Sequence, residues 1–116
     1  MEIQEEKHGP LMIITLNGKL NAATYPQIHE HFNVLVNEGI TSLLVDLAGV
    51  TYMSSVGLRL FFLAAKDLQR KNGKLVICSA QPDVRRLFEI SGLPTPYPIL
   101  GSREEALQRL ASETPQ

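Results

Sequence analysis

The runs SLLVDLAGV at 42–50 and KLVICSA at 74–80 are apolar at nearly every position rather than at every second one. A strand with one wet face alternates apolar and polar side chains, so near-continuous runs mark strands covered on both faces. Between them, RLFFLAAKDLQRK at 59–71 carries its apolar residues at helical spacing and stops at Asn72-Gly73. Strands alternating with helices in this way predict a largely parallel α/β sheet.

The rest of the chain extends that unit. EIQEEKH, the punctuation Gly9-Pro10 and LMIITLNG predict two β segments joined by a turn. Thr24-Tyr25-Pro26-Gln27 resembles a capping box with proline in the first turn. Tyr25, Ile28, Phe32 and Leu35 then recur at helical spacing until Gly39. A second helix is predicted from about Val56 to Lys71, with Leu58, Phe61, Phe62, Ala65 and Leu68 as its core stripe. Pro82-Asp83 opens a short helix with Val84, Leu87 and Phe88 inward, closed by Gly92. PYPILG at 96–101 is a proline-bearing strand suited to a sheet edge. Ser102-Arg103-Glu104-Glu105 forms another capping box, leading into a final helix with Ala106, Leu107 and Leu110 on one side. The tail SETPQ is expected to fray. The order β-β-α-β-α-β-α-β-α predicts one α/β domain over 1–116, ordered from about 2 to 111. Its sheet is mixed but mostly parallel, with about five strands and about four helices.

Composition narrows the function. With 116 residues the chain holds one core, and 44% hydrophobic against 20% charged residues is the balance of a globular protein. A formal net charge of −1 without a basic run argues against nucleic-acid binding. The longest strongly apolar stretch, LFFLAA, is too short to span a bilayer, and MEIQEEKHGP is unlike a signal peptide. A cytoplasmic setting without membrane insertion is expected. Cys78 is the only cysteine and lies in an apolar run, where a small buried hydrophobe is the ordinary reading. No phosphate-cradling loop and no Gly-x-Ser-x-Gly elbow occurs. His29 and His31 stand two residues apart, which points them to different faces of a helix. Neither catalysis nor a metal or other cofactor is expected.

What remains is TYMSSVGL at 51–58, two serines and a glycine where sheet turns to helix. The first N–H groups of a helix lack internal partners and collect positive partial charge. A serine hydroxyl there caps the helix, and a phosphate carried there would be held by the same groups. Both readings hold for Ser54 and Ser55. Gly57, a poor helix former, implies a close backbone approach, either by a partner or by the sheet beneath. Leu63 falls off the core stripe among Arg59, Lys66, Asp67 and Arg70, with Leu60 toward the same rim. That spot is either a protein-docking site or an ordinary solvated face.

These residues carry a family resemblance. LLVDLAGVTYMSSVGLRLFFLAAKDLQRKNGKLVICSAQPDVRRLFEISGL resembles the central part of a STAS domain, the fold of bacterial anti-sigma factor antagonists. LNGKLNAATYPQI is similar to the family's Gly-x-Leu-Asp-x-x-Thr segment, and SREEAL to its terminal helix. The resemblance implies a regulatory binding protein that works by partner switching. Its partners would be a serine kinase that is the anti-sigma factor and a PP2C-like phosphatase. It also implies phosphorylation in an Asp-Ser-x-Gly-type loop. Here Ser54 stands where many antagonists have aspartate, Asn21 stands in an acid's place, and Val56 fills the pre-glycine position often phosphorylated. Ser55 is therefore the first acceptor candidate and Ser54 the second. Ser54, Ser55, Val56, Gly57, Arg59, Leu60 and Leu63 are the expected partner-binding residues, with Asn21 and Asp46 supporting the loop. The runner-up is a constitutive STAS scaffold or accessory subunit of a larger complex such as a lipid-transport system. Nucleotide binding, reported for some STAS domains, ranks third.

Overall fold

The computed structural model describes residues 1–93 and 98–112. Its sheet begins as a hairpin, β1 (Glu2–His8) antiparallel to β2 (Leu11–Leu20), turning at Gly9 with φ +62°. Helix α1 (Tyr25–Asn37) carries the chain back to β3 (Ser42–Met53), which pairs parallel to β2. Helix α2 (Ser55–Arg70) leads to β4 (Lys74–Cys78), parallel to β3, and helices α3 (Pro82–Ser91) and α4 (Arg103–Ser112) follow. The sheet order is β1-β2-β3-β4.

The apolar runs are continuous because alternate residues serve two cores. Leu43, Val45, Leu47, Leu75 and Ile77 pack with Ile28 and Phe32 of α1, Phe61 and Leu68 of α2, and Val84 and Phe88 of α3. Leu44, Val76 and Cys78 join Ile13 on the other face, under Ala106 and Leu110 of α4. Cys78 is fully buried, and that burial raises its thiol pKa above the ordinary value. We expect a thiol reagent to modify the native protein at least about a hundredfold more slowly than the urea-unfolded chain. Comparable rates would place Cys78 outside the core.

Several sequence expectations change. Among the described residues the sheet has four strands, because Leu100 makes only a single parallel bridge to Cys78; the first part of PYPILG lies outside them. Strand β3 runs on through Thr51-Tyr52-Met53, since Tyr52 and Met53 still pair with Lys19 and Leu20. Thr24 does not cap α1 with its side chain. Its hydroxyl donates instead to the Lys19 carbonyl at 2.8 Å. Leu87 is 38% exposed, because α3 rests on Val84 and Phe88 alone. The core face of α2 consists of Gly57, Leu60, Phe61, Ala64, Ala65 and Leu68, rotated away from the expected stripe. Gly57 accounts for part of the rotation: lacking a side chain, it lies close against Leu20 of β2, while Leu58 and Phe62 are only partly buried.

Candidate functional site

The serine joint lies where β3 hands over to α2. Ser54 adopts an extended backbone (φ −87°, ψ 172°), and its hydroxyl accepts the Gly57 N–H at 3.3 Å. Its carbonyl accepts the Leu58 N–H at 3.0 Å, the first turn of the helix. Its own N–H donates to the Leu20 carbonyl at 2.8 Å, tying the joint to the end of β2. Ser54 is thus a helix cap fixed at three points and only partly exposed. Ser55, the first helical residue, is exposed.

Gly57 is buried, and a Cβ there would lie 2.9 Å from the Leu20 Cβ and 3.0 Å from the Leu20 carbonyl oxygen. The close approach is therefore made by the protein's own sheet, and Gly57 presents no surface to a partner. Leu60 is also misplaced by the sequence reading. It is 1% exposed, packed in the main core, and unavailable for docking. Leu63 is half-buried and lines the groove between α1 and α2 with His29, Phe32 and Asn33. Val56 and Arg59 are exposed, as a docking role requires.

Asn21 and Asp46 separate in space. The Asn21 side-chain oxygen accepts the N–H groups of Ala23 and Thr24 at 2.9 and 3.1 Å, shaping the β2–α1 turn beside Leu20. Asp46 is not at the end of its strand. It sits well within β3 on the α4 side, 8% exposed. There it accepts the Ala48 N–H at 3.0 Å and Arg103 Nε at 3.2 Å, while Arg103 also reaches the Thr15 hydroxyl at 2.5 Å. This network docks α4 onto the sheet rather than orienting the serines.

Tyr52 went unnoticed in the sequence. It is 51% exposed, and with Val56 at 39% it places two large apolar side chains on either side of the serines in sequence. The alternation of exposed Tyr52 with buried Met53 was the available signal, hidden because the segment reads as a turn. Among the described residues no group of three or more His, Cys, Asp or Glu side chains could hold a metal ion. Nor is any helix there long and apolar enough to cross a membrane. The joint therefore offers one exposed serine, Ser55, next to the capping Ser54, with Tyr52, Val56 and Arg59 exposed nearby in sequence.

Known proteins are similar to this chain in sequence and in fold. BtrV of Bordetella bronchiseptica, which bears the name anti-sigma factor antagonist, is 34% identical over 116 residues, covering 100% of both chains. The anti-sigma-B factor antagonist of Listeria monocytogenes is 41% identical over 81 residues, covering 69% of this chain and 70% of that protein. The solved structure of the anti-sigma factor antagonist SpoIIAA in its unphosphorylated form superposes with a TM-score of 0.83 at 23% identity, covering 98% of this chain and 100% of that one. Its phosphorylated form, described as a Bacillus cell fate determinant, gives 0.77 at 23% identity, over 94% and 99%. The STAS domain family model matches residues 2–106. With its sheet, its four helices and its serine joint accounted for, this chain belongs to the STAS domain family.

Proposed function

We propose that the protein is an anti-sigma factor antagonist acting by partner switching, with Ser55 as the phosphorylated residue. In this reading the unphosphorylated protein binds a serine kinase that is also an anti-sigma factor. Phosphorylation releases that partner, and a PP2C-like phosphatase restores the free hydroxyl. The observation that carries the reading is the division of labour at the joint. Ser54 is committed to the cap and to Leu20, whereas Ser55 is exposed on a mount that does not depend on its hydroxyl. A dianion on Ser55 would adjoin the exposed Val56 in the chain, and covering that charge with a partner's surface would be costly. The names of BtrV and of the Listeria protein support the same role.

The test is the intact mass of the protein after incubation with Mg-ATP and lysate of its native host. A single added phosphate is expected, absent from Ser55→Ala and retained in Ser54→Ala. Ser54→Ala should instead lower stability by about 1 kcal/mol through loss of the cap. A phosphate that persists in Ser55→Ala moves the acceptor elsewhere. No phosphate, under conditions that modify another antagonist, overturns the switch and favours a constitutive scaffold.

A further inference from the structure

Arg59 follows Ser55 by four residues on α2, so the two side chains emerge on one face of the helix, a single turn apart. Both are exposed. The other ion pairs of this helical surface are already made: Arg70 holds Asp67 at 3.0 Å, and on α3 Arg85 holds Glu89 at 3.4 Å. Arg59 has no such partner among the described residues, and the first turn of α2 contains no acid. The cap has meanwhile taken the Gly57 N–H, and the Leu58 N–H is bonded to the Ser54 carbonyl. A phosphate on Ser55 would therefore find two of the first-turn donors engaged and one unpaired guanidinium within a turn.

We propose that Arg59 is the intramolecular receptor for a phosphate on Ser55. The inference rests on Ser55 being the modified residue. An anion placed four residues before a cation is the favourable order on a helix, and a guanidinium can grip two phosphate oxygens at once. One modification then changes the docking face twice. It adds negative charge beside Val56, and it folds Arg59 back onto its own helix, withdrawing a cation from whatever acidic group a partner offers. The phosphorylated form satisfies itself.

The experiment uses the full chain with phosphoserine installed at position 55 by expanded-code expression, so no kinase is needed. The phosphorus resonance is followed through the second phosphate ionisation in the wild-type background, in Arg59→Gln and in Lys19→Gln. Lys19, exposed where β2 pairs with Tyr52, is the competing cation near the joint. A neighbouring cation favours the dianion, so the wild-type phosphate should titrate about half a pH unit below that of Arg59→Gln. Lys19→Gln should follow the wild type, and added salt should narrow the gap. Identical titrations of wild type and Arg59→Gln overturn the proposal, as does a larger displacement in Lys19→Gln than in Arg59→Gln. Failure of the host lysate to modify Ser55 would overturn the switch itself and leave this titration unaffected, so the two failures are distinguishable.

Discussion

Phe61→Ala is expected to lower the unfolding free energy by about 3–5 kcal/mol, a large part of the roughly 5–15 kcal/mol that holds a domain of this size. The side chain is fully buried where three helices meet over the sheet. It packs edge-on against Phe32 of α1 at 6.0 Å between ring centroids, and against Phe88 of α3 at 5.3 Å. Truncation removes the transfer energy of a benzyl group and leaves a cavity walled by two rings anchored on different helices. Those helices are held by the sheet and close the gap only in part, so the cavity contribution persists. The measurement is the urea midpoint at unchanged slope. Leu63→Ala on the same helix, half-buried in the α1–α2 groove, serves as the comparison and should cost much less. A loss of less than about 1.5 kcal/mol for Phe61→Ala would mean that the three helices are held by the sheet separately, not by one another.

The contrast between Phe61 and Leu63 also shows what the sequence could reveal. Which segments are helices and which are strands was legible, because β3, β4 and α2 each carry a period, or a lack of one, over enough residues to identify them. The rotation of α2 about its axis was less so. Counting apolar residues put Leu58 and Phe62 inward and Leu60 at the rim, whereas the close approach of the helix to β2 is made at Gly57, which has no side chain. Volume, not hydropathy, chose the face. Among the candidate site residues, the cap role of Ser54 was legible because capping is local in sequence. The partner of Asp46 was not. Arg103 lies 57 residues further along the chain, on α4, and nothing near either residue announces the pair. The half-exposed Tyr52 was missed for a related reason: whether Thr51-Tyr52-Met53 is turn or strand depends on the end of β2 lying beside it.

That dependence on β2 makes Gly57→Val the sharper test of how the serines are presented. Replacing glycine within a helix usually helps, by up to about 1 kcal/mol for alanine, because the unfolded chain loses freedom. Here the new Cβ would sit 2.9 Å from the Leu20 Cβ, 3.0 Å from the Leu20 carbonyl oxygen and 3.3 Å from the Met53 Cγ. Two of these atoms belong to or adjoin the backbone of β2, so no flexible side-chain tip can swing away. Valine adds two methyl groups beyond that Cβ and is itself a weaker helix former than alanine. The clash should outweigh the helix gain, with a net loss of about 2–3 kcal/mol. The damage should also be directional. The carbonyl pressed by the new side chain is the one that accepts the Ser54 N–H at 2.8 Å. Amide exchange at Ser54 should therefore accelerate more than at Ile14 or Val45 in the middle of the sheet, which report global opening. On the proposed switch, phosphorylation at Ser55 and partner binding should weaken together, since both would use the same mounted serine. Equal acceleration at all three amides would show that Gly57 contributes only to overall packing. Retained Ser54 protection with wild-type stability would show that β2 yields to the helix, and the joint would then owe its geometry to the Ser54 cap alone.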